Sequence, residues 1–155
     1  MRFTIIFIGI FALDQIIKFY FLHICNGAEG CFTFRGDFFS LVLVYNKGVA
    51  FSLFAFLSHY LKYLQIILLV AIALVLRFPK NYFSKHPIIL GLIFGSGSSN
   101  ILDRFIHDGV VDYFYWHYGF KFAVFNLADV AINISIAIII IKFLLDKKYM
   151  LQSRS

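Results

Sequence analysis

The sequence predicts an all-α membrane protein, with four transmembrane helices carrying a small extracytoplasmic β platform and a short interfacial helix. Three observations predict it. Of 155 residues, 61% are hydrophobic, and the mean hydropathy of +0.85 exceeds what the interior of a soluble globule this size could hold. Four stretches approach the roughly 20 residues needed to cross a hydrocarbon core, at about 3–22, 60–78, 87–103 and 123–145. The basic residues flank these stretches and form no continuous stripe, a membrane pattern that argues against nucleic acid despite a net charge of +6. The whole chain, 1–155, reads as a single integral membrane domain with outer loops at 23–59 and 104–122.

The first stretch is not a cleavable leader by pattern. Asp14, Gln15 and Lys18 interrupt its apolar run, and no small-residue cleavage site follows. Entering near Phe3, a helix would place Asp14 about 16 Å and Lys18 about 22 Å deep. Their i,i+4 spacing allows an internal ion pair, with Lys18 snorkelling outward.

Basic flanks set the expected orientation. Eight basic residues (Arg2, Arg77, Lys80, Lys85, Lys142, Lys147, Lys148, Arg154) fall on the side of the termini, against five (Arg35, Lys47, Lys62, Arg104, Lys121) on the other. That bias predicts both termini in the cytoplasm. Six acids, Glu29, Asp37, Asp103, Asp108, Asp112 and Asp129, then gather on or near the outer side.

In the first outer loop, residues 31–45 are rich in Phe, Thr, Val and Leu and broken at Gly36-Asp37. This predicts one or two short strands with a turn there, a platform for an extended partner or lipid. Cys25 and Cys31 lie beside it, either joined as a disulfide or reduced; their spacing with no histidine pattern argues against zinc. Asn46 could cap an interfacial helix with Phe51, Phe54 and Leu57 toward lipid, or the segment could simply enter the second membrane helix.

That second helix has Gln65 as its lone interior polar residue and reads as scaffold. In the third, Gly91, Gly95 and Ser99 recur every four residues as a close-packing seam, and Ser96, Asn100 and Asp103 form a polar stripe ending at Arg104. The fourth repeats the device: Asn126 is placed as an N-cap, with Asp129 and Asn133 on the same face. Three helices therefore aim polar groups at one depth. A structural polar network could account for this; ionisable residues inside a membrane segment favour a functional site.

Serine chemistry would need a base near Ser96, Ser98 or Ser99, and only Lys18 qualifies at that depth. Metal chemistry has less support, since His23, His59, His86, His107 and His117 show no ligand spacing. No metal and no cofactor is expected. Carboxylates remain. Asp112, at the start of an aromatic boundary run, and Asp129, inside an apolar segment, could share one proton and activate water, one as base and one as acid.

With these residues assembled, the chain resembles the signal peptidase II (lipoprotein signal peptidase) family along nearly its whole length. The resemblance runs through DQxxK (Asp14, Gln15, Lys18), NxGxAF (Asn46, Gly48, Ala50, Phe51), NxxDR (Asn100, Asp103, Arg104), VVD (Asp112) and FNxAD (Asn126, Asp129). It implies an aspartic endopeptidase that removes the signal peptide from diacylglyceryl-modified prolipoproteins, cleaving N-terminal to the lipidated cysteine. It implies Asp112 and Asp129 as the catalytic pair, Asn46, Gly48, Asn100, Arg104 and Asn126 as substrate-binding, and Asp14, Lys18 and Asp103 as supporting residues. The expected partners are the lipid-modified prolipoprotein signal peptide and membrane lipid, with no nucleic acid. The expected setting is a monomer in the bacterial inner membrane, its active site near the outer leaflet. Ser99 stands where the family commonly has glycine, Tyr113 where phenylalanine is usual, Ala123 where proline is frequent, and Ile17 where a small hydroxyl residue is common. The alternative reading of the same buried acids is a small proton-coupled transporter or lipid-binding membrane factor.

Overall fold

The computed structural model describes residues 1–48, 55–77 and 85–152. In chain order the elements are α1 (Arg2–Ile24), β1 (Phe32–Arg35), β2 (Phe39–Asn46), a 3-10 turn (Ala55–Leu57), α2 (Ser58–Arg77), α3 (Pro87–His107), β3 (Val110–Trp116) and α4 (Leu127–Gln152). Ala50, Phe51 and Phe54 of the expected interfacial helix lie outside the described residues, as do 79–84 of the predicted inner loop and the side chains of Arg77, Lys147, Lys148 and Arg154.

Among the described residues, α1, α2 and α4 are long and apolar enough to cross a membrane. Their outward faces are apolar: only 6% of the hydrophobic window of α2 is buried, and 17% in each of the other two. The interior is the reverse. Side chains hidden almost completely include Asp14, Lys18, Asp103, Asp112 and Asn126 alongside Leu43, Leu90 and Val111. A protein with oily flanks and a polar centre is built for a hydrocarbon solvent. The 21-residue α3 carries the serine-rich and charged stretch from Ser96 to Arg104 and does not reach the apolar standard of the other three.

Helix α3 packs against α1 along the glycine seam. A Cβ on Gly91 would sit 3.1 Å from the Phe3 carbonyl oxygen, and one on Gly95 would sit 2.6 Å from that of Phe7. The third member of the seam, Ser99, donates a hydrogen bond to Asp14 instead of lying against bare backbone. The seam thus changes from close contact to a polar tie toward the C-terminal half of α3.

The platform is larger than the sequence suggests. It is a three-stranded antiparallel sheet in the order β1-β2-β3. The β1–β2 turn falls at the expected place, Gly36 donating to the Phe39 carbonyl. The third strand contains Asp112, opposite Val44, so this residue lies in a strand and not in a boundary loop. The run VVDYFYW was read as a membrane-boundary belt because its aromatics satisfy that pattern; they also satisfy a strand, and pairing with β2 decides between the two. Residues 123–125 likewise belong to no helix. Phe125 exchanges backbone hydrogen bonds with Phe114 at 2.9 and 3.0 Å, so α4 starts at Leu127, four residues later than expected. At the other junction α3 continues to His107, four residues further than expected, and keeps Arg104 on the helix. Asp108 then turns the chain in the left-handed region at φ 55°.

Phe21 and Cys25 of α1 pack with Leu43, Val111 and Tyr113 of the sheet in one apolar cluster. Phe21 and Tyr113 stack face to face at 4.7 Å. Cys25 and Cys31 are joined as a disulfide, resolving the alternatives left by the sequence and tying the end of α1 to the entry of β1. The sheet is therefore held over the C-terminal end of α1.

Gly95→Leu should separate α1 from α3, because its side chain would meet backbone, which cannot turn away as a flexible side chain can. Overpacking of this kind destabilises by about 1–3 kcal/mol. Thermal unfolding of the detergent-solubilised variant should show a lowered midpoint, and an unchanged one would contradict the seam.

Candidate active site

Five elements meet at the start of α4. Asn126 caps that helix, its Oδ1 accepting the Asp129 N–H at 2.9 Å while Asp129 Oδ2 accepts the Asn126 N–H at 3.2 Å. This is a reciprocal capping box with aspartate as the return partner. The two intervening N–H groups are also taken: Leu127 donates to the Tyr113 hydroxyl at 3.0 Å, and Ala128 to Asp14 Oδ1 at 2.9 Å. The first turn of α4 is consequently bound to α1 and β3 before its own ladder begins, which fixes where Asp129 stands.

Beneath this lies a charged brace. The Lys18 ammonium contacts Asp14 at 2.6 Å, Asp103 at 2.7 Å and the Asn100 amide oxygen at 2.8 Å. All three of its protons have an acceptor. Lys18 is 1% exposed, so it does not snorkel outward as expected; two carboxylates within reach make the inward position the better solvated one. Gln15 adds hydrogen bonds to Ser99 Oγ and Asp103 Oδ1, and Asp103 Oδ2 accepts the Val111 N–H at 3.1 Å, linking the brace to β3. A serine–lysine pair is not formed: the Ser99 hydroxyl donates to Asp14 and the lysine is fully engaged elsewhere.

Two asparagines carry the network to the remaining acids. Asn100 Nδ2 donates to Asp129 Oδ1 at 2.9 Å, and Asn126 Nδ2 to Asp112 Oδ1 at 2.7 Å. The two amides also meet each other at 3.2 Å. Asn46 Nδ2 holds the second oxygen of Asp112 at 3.0 Å, while its own oxygen accepts the Gly48 N–H. Asn46 thus closes a local turn at the end of β2 and orients Asp112. The strand register and the capping box bring Asp112 and Asp129 to opposite sides of Asn126, within one hydrogen-bonded constellation.

The four acids are treated differently. Asp14 and Asp103 receive the lysine; among the described residues Asp112 and Asp129 form no salt bridge and are held by neutral N–H donors. Burial, and then the neighbouring Asp129 charge, push the Asp112 carboxyl up to about 8 against the hydrogen bonds from Asn46 and Asn126. Near neutral pH Asp112 therefore keeps its proton, which equips it to donate. Burial also raises the Tyr113 phenol well above its usual value, so this hydroxyl stays neutral in the same range.

Arg104 is 3% exposed. Its Nε donates to Gln65 Oε1 at 2.9 Å and its Nη2 to the Gly48 carbonyl, while Nη1 has no partner among the described residues. An unfilled guanidinium donor beside paired carboxylates is suited to a carbonyl or other oxygen brought by a ligand.

Every site residue named from the sequence except Gly48 takes part through its side chain, and Gly48 does so through its backbone. Gln65, read as scaffold, was missed as the Arg104 partner; its being the only polar residue inside α2 was the available signal. The Tyr113 hydroxyl and the Gln15 amide were also given no role, since neither contact can be seen before the folds of α1, β3 and α4 are brought together.

A family model described as signal peptidase (SPase) II matches residues 6–145. The chain belongs to the signal peptidase II family. A curated relative from Wolinella succinogenes, named lipoprotein signal peptidase, is 48% identical over 133 residues, covering 86% of each chain. Relatives with the same name from Helicobacter pylori and Campylobacter jejuni are 47% and 44% identical, covering 90% and 92% of this chain. Two solved bacterial membrane enzymes share the fold with TM-scores of 0.78 and 0.74 at 23% identity, covering 94% and 92% of this chain.

Replacing Lys18 by methionine would leave two buried carboxylates facing each other without a cation. Breaking a buried pair in this way costs about 3–5 kcal/mol. The Lys18→Met protein should lose most of its folded yield in detergent; yield and melting temperature equal to the parent would show that the brace is dispensable.

Proposed function

We propose that this chain is an aspartic endopeptidase of the signal peptidase II type. In this reading it removes the signal peptide from diacylglyceryl-modified prolipoproteins, cutting N-terminal to the lipidated cysteine. Peptidase action on lipoprotein precursors follows from family membership. The aspartic mechanism is supported above all by one observation: of four acids at the site, Asp14 and Asp103 are neutralised by Lys18, while buried Asp112 and half-buried Asp129 form no salt bridge among the described residues and gather around Asn126.

A water between the two free carboxyl groups is the nucleophile. Asp129 takes its proton as it attacks the scissile carbonyl, and Asp112 donates its own proton to the carbonyl oxygen. Asn100 and Asn126 keep the pair oriented, so little reorganisation accompanies the transfer. As the tetrahedral intermediate collapses and the C–N bond breaks, Asp129 passes its proton to the leaving amine and a gem-diol hydroxyl returns one to Asp112, restoring the pair. The spare Nη1 of Arg104 holds a backbone carbonyl of the extended substrate.

The setting is the bacterial inner membrane, crossed four times with α3 as the third span and both termini cytoplasmic. Helix α3 can serve as a span because its polar face is covered by α1, α4 and the sheet while Ile88, Phe105 and Ile106 face outward. The sheet then lies outside, the protein acts as a monomer, and the pair sits near the outer leaflet. A relay for transported protons would need polar groups along the remaining depth, but the space between α2, α3 and α4 is lined mostly by isoleucine and leucine.

Mass spectrometry of a lipidated prolipoprotein incubated with the purified protein should show the released signal peptide. Asp112→Asn and Asp129→Asn should each lower turnover by at least about 10²-fold, as loss of general acid or base catalysis does. Substantial turnover by either variant would overturn the pair.

Cleavage should also fall as pH rises through about 8, where Asp112 loses the proton that it donates. Stability follows the same group. Unfolded, its carboxyl titrates near 3.8, and folded near 8, so the folded state binds the extra proton between those values. The stabilisation is full below about 4 and is lost as pH rises toward and past 8. Asp112→Asn, which cannot ionise, should therefore gain in melting temperature relative to the parent between pH 5 and 9; a constant difference would contradict the shift.

A further inference from the structure

Between α2, α3 and α4 runs a groove of about 640 Å³ whose sheet end reaches the Gln65–Arg104 pair and whose remaining length has been given no occupant. It is apolar along its length, through Leu69, Ile101 and Ile136, and polar at its two ends. At the end nearer the sheet is Gln65, already engaged by Arg104; at the far end are His86 and Lys142. On α2 it extends from Gln65 to Leu76, about 16 Å at a helical rise. Half of a hydrocarbon core is about 15 Å. The groove thus has the depth of one leaflet, and its open basic end lies at the face of the bundle away from the sheet.

We propose that this groove binds one anionic phospholipid, its acyl chain along Ile136 and Ile101 and its phosphate between Lys142 and His86. Charge selects this occupant. Lys142 and His86 line that end, and exposed Lys85 precedes His86 in the chain. A signal peptide would enter that end with its own basic segment and meet repulsion. An anionic headgroup gains about fivefold in affinity for each lysine near the surface. The inference rests on the proposed orientation and substrate in two places: in naming this leaflet cytoplasmic, where anionic lipids are concentrated, and in setting the signal peptide aside by its basic segment.

The test is native mass spectrometry of the full-length protein released from bilayers of phosphatidylglycerol and phosphatidylcholine, with no substrate present. The wild type should retain one phosphatidylglycerol in preference to phosphatidylcholine. Lys142→Gln should reduce that preference about fivefold, and Ile136→Trp, which fills the groove, should abolish retention of either lipid. Ile139→Phe is the second filling variant should the tryptophan protein not fold. Equal retention of both lipids, a preference unaffected by Lys142→Gln, or lipid surviving both filled grooves would overturn the proposal. So would a synthetic signal-peptide segment that binds the wild type, displaces the lipid and is blocked by Ile136→Trp, since the groove would then belong to the substrate. Asp129→Asn should hold lipid as the wild type does, so a failure of the peptidase reading leaves this result standing.

Discussion

The contact on which the rest depends is the ammonium of Lys18 between Asp14 and Asp103. In a hydrocarbon setting a lone buried charge is expensive, and three together are tolerated only with close geometry and full hydrogen bonding. Here each member is also attached to a different element. Asp14 receives the Ala128 N–H at the start of α4, and Asp103 receives the Val111 N–H in β3. The brace therefore locates the strand that carries Asp112 and the helix that carries Asp129 in a single step. Without the lysine, the same two attachments would be held by mutually repelling carboxylates.

The constraint also explains the choice of amides around the other acids. Had lysine or arginine been paired with Asp112, the carboxyl would be held ionised and could not donate near neutral pH. Asparagine can orient a carboxyl group without adding charge, and Asn126 does this for both: through its backbone N–H and amide oxygen for Asp129, and through Nδ2 for Asp112. Arg104 is close enough to be felt but is turned to Gln65 and Gly48. The difference between the acids is electrostatic: Asp14 and Asp103 are paired with Lys18, and Asp112 and Asp129 are held by neutral donors.

The apolar exterior and the sheet have complementary tasks. Helices α1, α2 and α4 expose isoleucine, leucine and phenylalanine along their flanks, where lipid satisfies them. The sheet packs on the C-terminal end of α1 through Phe21, Cys25, Leu43 and Val111, beside the buried Asp112. The burial that raises the Asp112 carboxyl is thus a product of the protein's own packing, the sheet included.

The sequence by itself determined the membrane class, the positions of the helices to within a few residues, and which polar residues stand out against their apolar surroundings. Those features are one-dimensional: apolar length, i,i+4 spacing and the misfit of an acid in an apolar run are all carried by local order along the chain. The tertiary structure alone decided that Asp112 lies on a strand, that Lys18 turns inward, that the two cysteines join, and that Gln65 and Tyr113 serve the site. Three of these are settled by partners far away in sequence, β2 for the strand, Asp103 for the lysine and Arg104 for the glutamine, while Leu127 and the second cysteine are nearer in the chain but are brought into reach only by the turns between. A local pattern shows which side chain is out of place, but the group that compensates it is supplied by the fold.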